Sequence, residues 1–197
     1  MAQVNGTPIT QGMVNQVVKS LLRERGATPS SDEIAALNDA ALDSLIELEL
    51  LYQAAQKAGV SVSDQEVAAE IARSKAQLGG DKAFAAALQR SGMTEAGLAA
   101  DTRKTLVVDR FVDTRVVGNV QVTPDAVRRF YDEHRQELER DGVGSFDKAR
   151  PLVEKTLLET ERRQREQAYV DALRKSAHIE RPTPVEERVQ LPATGDR

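Results

Sequence analysis

The chain of 197 residues contains no cysteine and no tryptophan, and only three methionines, four phenylalanines and three tyrosines. Without cysteine there is no disulfide framework, no thiol nucleophile and no thiolate metal site. Two histidines are all that remain for imidazole chemistry. Basic charge is not in excess: 27 Lys+Arg against 31 Asp+Glu gives 27 − 31 = −4, so bulk charge does not point to a nucleic-acid partner. No apolar run approaches the roughly 20 residues of a membrane-spanning helix. MAQVNGTPIT lacks the charged and apolar regions of a signal peptide, so it reads either as a cytoplasmic start or as the start left after a leader is removed.

What is present is helical periodicity. Ala2-Gln3-Val4 is a short extended piece followed by the turn signal Asn5-Gly6. Thr10 can cap a helix over about 11–25, with Met13, Val14, Val17, Val18, Leu21 and Leu22 on its apolar side, and Gly26 to Pro29 breaks it. Ser30 and Glu33 form a capping box for a helix reaching about Ala58. Its apolar positions 34, 37, 41, 45, 48, 52 and 55, widened by Leu42, Ile46 and Leu50, make it the expected centre of the core. Ser63 and Glu66 make a second capping box, with Val62 and Val67 at staple spacing. Gly79-Gly80 ends that helix, a short one over 82–90 follows, and Thr94 opens another to about Val116. Val122-Thr123-Pro124 then starts a helix with proline at its favoured first position.

The last helix runs from Phe146–Asp147 to about Ala177, with Pro151 assigned to its first turn. Apolar residues mark both of its ends, but ETERRQREQ in the middle has none, which predicts a solvent-bridging stretch supported by pairs such as Glu161–Arg165. His178-Ile179-Glu180 reads as a strand and 182–197 as a disordered tail. The pattern predicts an all-α chain, mainly helical, with a short pairing of its N- and C-terminal strands.

No constellation for catalysis emerges. His134, in FYDEHRQ, has no residue placed to fix its tautomer and reads as a solvated helix-end side chain, and His178 reads as structural. The carboxylates sit at caps and on polar faces. The glycines follow no strand and lack the Walker lysine, and ERRQR is interleaved with glutamates. LPATG at 191–195 matches a sortase pattern by letters but has no apolar segment after it. No catalytic, cofactor-binding or metal-binding residue is expected.

LIELELLYQAAQKAGVSVSDQEVAAEI, residues 45–71, resembles the N-terminal chaperone domain of the SurA family, which includes PrsA- and PpiD-like extracytoplasmic foldases. AQVNGTPIT is similar to that family's opening strand and turn, VTPDAVRRFYDEHRQEL to its "VTxxEVxxYYxxH" helix, and FDKARPLVEKTLLETERRQREQAYVDALRKSAHIE to its closing helix and strand. The resemblance covers roughly residues 2–181. It implies a chaperone lobe over 1–138, completed by a closing helix and strand over 146–181. In the family the helix like 124–138 leads into a parvulin prolyl isomerase domain of on the order of a hundred residues. Here a short loop, 139–145, stands in that place.

The resemblance implies an ATP-independent chaperone that holds unfolded secreted or outer-membrane proteins in an apolar groove, without isomerase activity. It also implies a periplasmic or otherwise extracytoplasmic location, with the signal peptide removed. The expected partners are unfolded or nascent polypeptides, with no nucleic acid and no cofactor, and the scarcity of methionine and aromatics predicts low affinity. Phe130, Tyr131, Leu157 and Leu158 flank the place where the isomerase would emerge and are the expected client-binding residues. They can equally pack together as a small second core. A dedicated subunit with one fixed partner, or a degenerate peptidyl-prolyl isomerase, remain the alternative readings.

Overall fold

The computed structural model describes residues 2–25, 30–140 and 142–181, with the backbone alone at 23–25. The break at 26–29, the tail 182–197 and its LPATG lie outside the described residues. The chain divides into two compact units, Met1–Leu45 with Ala177–Arg197, and Ile46–Ser176.

The first unit opens with strands β1 (Ala2–Val4) and β2 (Thr7–Ile9). Asn5 and Gly6 both take positive φ, 50° and 86°, the conformation of a two-residue hairpin turn whose twist matches the strands. The register sets Val4 against Thr7 and Ala2 against Ile9. On the other side of β1 lies β3 (Ile179–Glu180), giving an antiparallel sheet in the order β2-β1-β3. The predicted pairing of the two chain ends is therefore present. Side chains alternate along β1: Ala2 and Val4 are buried and Gln3 is exposed. Helix α1 (Gln11–Arg25) follows, with the Met13 N–H donating to Thr10 Oγ1 at 3.3 Å, and buries Val14 and Val18.

Helix α2 (Ser31–Lys57) carries the expected capping box: Ser30 N–H donates to Glu33 Oε2 at 2.8 Å, and Glu33 N–H to Ser30 Oγ at 3.3 Å. Its residues to Leu45 count with the first unit, where Leu37 and Ala41 are buried and Arg181 pairs with Asp43. From Ile46 it belongs to the second unit. There the buried residues are Ile46, Glu49, Leu50, Leu51, Ala54 and Ala55, while Leu48 and Tyr52 are only partly covered. Ile46 and Leu50, read as widening the stripe, are more deeply buried than Leu48 and Tyr52 of the stripe itself, while Ala55 of that stripe is fully buried.

The second unit continues with α3 (Asp64–Gln77), α4 (Asp81–Ser91) and α5 (Glu95–Phe111). The Ser63–Glu66 capping box is complete, and both staple residues, Val62 and Val67, are buried in the main core cluster. That cluster also holds Val107, Val108, Phe111, Val112, Val117, Val120 and Val170. Burying a side chain of valine to phenylalanine size stabilises by about 1.5–3 kcal/mol. Polar side chains from α5 lace the 61–63 segment to it: Arg103 reaches the Val62 carbonyl and Asp64, and Arg110 reaches the Ser61 carbonyl and Glu66.

Two expectations are corrected. The helix expected to reach Val116 is α-helical only to Phe111, and Val112–Val117 winds as a π-turn closed by the Gly118 N–H donating to the Asp113 carbonyl at 3.2 Å. Residues five apart are about 140° apart around an α-helix. The wider i→i+5 turn instead brings Val112 and Val117 to one side, and both are buried. Thr114 Oγ1, donating to the Arg110 carbonyl at 2.6 Å, competes with the regular ladder. The second correction concerns Pro151, which lies inside α7 (Phe146–Ser176) as its sixth residue, past the first turn. Both Pro151 and Asp147, whose carbonyl loses its partner, are exposed, so water can take the bond.

Candidate functional site

Helices α6 (Pro124–Arg140) and α7 form an antiparallel hairpin with a core of its own. Thr123 starts α6, its Oγ1 accepting from the Ala126 N–H at 3.2 Å, with Pro124 at the first position where its missing N–H costs nothing. Gly142, at φ 80°, ends it in a Schellman motif: the Val143 N–H donates to the Leu138 carbonyl at 2.8 Å and the Gly142 N–H to the Glu139 carbonyl at 3.2 Å. Val143 and Leu138 both pack on the hairpin core, the hydrophobic contact that accompanies such a cap. Ser145 then offers its carbonyl to the N–H groups of Lys148 and Ala149, opening α7. In its described residues, ERDGVGSFD is thus a capped helix-to-helix turn.

Val127, Tyr131, Ala149 and Val153 form the buried centre, with Val122, Phe130, Leu138, Val143, Phe146 and Leu157 around it. Tyr131 and Phe146 meet edge to face at 5.4 Å, and the Arg128 guanidinium lies 4.8 Å over the Phe146 ring. Three of the four expected client residues come together here. Tyr131 is only 5% exposed, and Phe130 and Leu157 are half-buried against the cluster. Leu158 is not among them: it is 37% exposed, on another face of α7. Leu152, at 49% exposure, is the other exposed large apolar side chain of α7, and it is not among the expected residues. Its signal was its register, since Ala149, Val153 and Leu157 recur at four and Leu152 falls off that stripe.

The polar middle of α7 also departs from expectation. The Glu161–Arg165 pair is present at 3.1 Å, yet the stretch is not solvated all round. Arg162 pairs with Asp113, and Arg165 donates to the Val117 carbonyl at 3.0 Å, so both reach the π-turn. His134 is likewise not simply solvated: it stacks on Phe130 at 4.0 Å, and its Nδ1 donates to the Phe130 carbonyl at 2.9 Å. The His178 ring is exposed beside Glu180, while its backbone exchanges bonds with Asn5.

Electrostatic shifts occur on the hairpin and away from it: on α6 the Arg135 guanidinium is pushed up, by its hydrogen bond to Glu139 first and then by that carboxylate's charge. The Glu66 carboxyl is held down to about 2, by the Ser63 backbone N–H first, then by Arg110 and the Ser63 hydroxyl. Asp109 is pushed up by burial first, and then by the nearby charges of Asp113 and Glu70. Among the described residues no group of three His, Asp or Glu side chains could hold a metal ion, and no helix is long and apolar enough to cross a membrane.

Residues 1–112 match the model of the SurA-like N-terminal domain. The chain belongs to that family. Its curated relatives include the foldase protein PrsA of Caldanaerobacter subterraneus subsp. tengcongensis, 24% identical over 71% of this chain and 44% of PrsA. Chaperone SurA of Chromohalobacter salexigens is 28% identical over 68% of this chain and 31% of SurA. The chain thus spans less than half the length of either. Among solved structures, the fold matches a chain from the work on two structurally related SurA-like chaperones of Campylobacter jejuni, the virulence factor PEB4 and the periplasmic protein Cj1289. The TM-score is 0.58 at 15% identity, covering 91% of this chain and 97% of that one. The α6–α7 hairpin lies beyond the residues matched by the family model.

Proposed function

We propose that this SurA-like chain is an ATP-independent extracytoplasmic chaperone that holds unfolded secreted or outer-membrane polypeptides without isomerising them. Family membership supports the chaperone reading, and the relatives named foldase, chaperone and periplasmic protein support the location. The observation that carries the lack of isomerisation is the turn between α6 and α7. Only residues 141–145 separate the two helices, and their capping leaves no room for an inserted domain of on the order of a hundred residues. In this reading residues 1–138 are the chaperone lobe, 139–145 the place where the family resemblance would put a parvulin domain, and 146–181 the segment that completes the lobe.

The client surface is assigned to the α6–α7 hairpin around Phe130, Tyr131, Leu157 and Leu158. Tyr131 lies in the hairpin core, Phe130 and Leu157 pack against it, and the exposure of Leu158 supports its reading as apolar surface open to a client. Such a surface binds by removing apolar area from water and needs no chemistry. Two assays on the purified chain test the reading. It should suppress aggregation of several unrelated unfolded proteins without ATP, and leave the isomerisation of a proline peptide at its uncatalysed rate of tens to hundreds of seconds. Suppression confined to one client would favour a dedicated partner, and catalysed isomerisation would favour an enzyme.

A further inference from the structure

Within the second unit two apolar clusters are linked by α7, an unbroken helix through both, and by polar crossings from it onto the π-turn. The main cluster takes Val120 from the segment after the π-turn, and Tyr169, Val170 and Leu173 from α7. The hairpin cluster takes Val122 from the same segment, and Leu157 from α7. The chain therefore passes from one cluster to the other at Gln121, and again across residues 158–168, where α7 gives no side chain to either. What bridges the gap is the contact of Arg162 with Asp113 and of Arg165 with the Val117 carbonyl. Asp113 serves twice: its carbonyl accepts the Gly118 N–H that closes the π-turn, and its carboxylate accepts from Arg162. Val117 ends that turn, so its carbonyl lacks a helical donor and Arg165 supplies one.

We infer that Arg162 and Arg165 form an electrostatic latch that fixes the direction of the α6–α7 hairpin relative to the main core cluster, with the π-turn as its catch and the unbroken middle of α7 as its lever. Tight apolar packing resists angular change because cores have one good arrangement. A joint held by two half-exposed guanidinium contacts does not share that stiffness, and its ion pair weakens in salt. The π-turn is the natural catch, since π-turns inside helices recur at functional sites and this one presents both the Asp113 carboxylate and the Val117 carbonyl to α7. The latch operates without a client, so this inference stands apart from the chaperone reading.

The test uses the absence of native cysteine, which lets two spin labels be placed uniquely. One sits on α3 at Ala69→Cys, the other near the loop end of α6 at Glu137→Cys; both positions are exposed. A control pair inside the hairpin uses Glu137→Cys with Lys148→Cys. At low salt the first pair should give one narrow distance distribution. Arg162→Gln with Arg165→Gln should broaden it by several ångströms while the control pair stays narrow. Arg162→Asp alone should broaden it too, and adding Asp113→Arg should restore it. If the double glutamine variant does not fold, the labelled chain with both arginines intact is measured in 1 M salt, where the screening length is about 3 Å, and must broaden. An unchanged distribution in the variants or in salt, or broadening of the control pair as well, overturns the latch.

Discussion

Leu157 and Leu158 are consecutive in α7 and face opposite environments, the first against the α6–α7 core and the second 37% exposed to water. A helix turns by about 100° per residue, and with Val153 buried one turn earlier the register admits only one of the two.

That division lets substitutions test the proposed client surface separately from packing. Leu158→Glu should leave the thermal midpoint within a few degrees and weaken suppression of aggregation, more so when joined to Leu152→Glu. Leu157→Glu buries a charge without a partner and should cost about 3 kcal/mol or more in a denaturant titration. Full chaperone activity in the Leu152/Leu158 double variant would move the client surface elsewhere on the protein.

Glu49 is the buried charge of the second unit, 5% exposed, held by Lys104 and by Gln53 Nε2 at 2.7 Å. The Lys104 ammonium also lies 5.2 Å from the Tyr52 ring centre. Lys104→Met should cost about 3–5 kcal/mol, because it strands a carboxylate in the core. Adding Glu49→Met should recover most of that loss, since two apolar side chains replace a pair that was costly to desolvate. A Lys104→Met variant as stable as the parent would show that water reaches Glu49.

The parts of the fold that were legible in the sequence share one property: a local rule decides them. Capping boxes at Ser30–Glu33 and Ser63–Glu66, the Asn5-Gly6 turn and the Pro124 start each need only a few adjacent residues, and each forms as read. What escaped was decided by distant partners. The π-turn depends on packing Val112 and Val117 together and on Arg165 arriving from 48 residues away. The ETERRQREQ stretch looked solvated because its partners, Asp113 and the Val117 carbonyl, lie on another element. Phe130, Tyr131 and Leu157 lie together on the hairpin beside the loop, where their place in the sequence set them, but which neighbour faces water depends on the helix register that α6 imposes on α7.

The Glu66 carboxyl, lowered to about 2, links the α3 cap to acid stability. In the unfolded chain a glutamate titrates near about 4.3. A depressed folded value means that the contribution is complete above that range and is lost as pH falls toward 2. Glu66→Gln should therefore be less stable than the parent at pH 7, and the difference between the two should shrink steadily between about pH 4 and 2. Unfolding curves at several acid pH values measure it. A gap that is constant down to pH 2 would mean that the Glu66 charge adds nothing beyond the hydrogen bonds a glutamine can make.

Asn5 joins the two ends of the chain, 173 residues apart in sequence from its partner His178. Its side-chain oxygen accepts the His178 N–H at 2.8 Å, and its own N–H donates to the His178 carbonyl at 2.8 Å. It does so from a positive φ of 50°, which asparagine tolerates far better than alanine. Two substitutions divide these contributions. Asn5→Gly keeps the backbone freedom and removes only the side-chain acceptor, for an expected loss of about 1 kcal/mol. Asn5→Ala adds the penalty of the left-handed conformation, for a total of about 2–3 kcal/mol. Both should speed hydrogen exchange at the His178 amide, because its acceptor is gone in each. If that amide stays as protected in Asn5→Gly as in the parent, the strand pair Val4–Ile179 and Gln3–Glu180 holds β3 in register by itself, and Asn5 matters only for the turn.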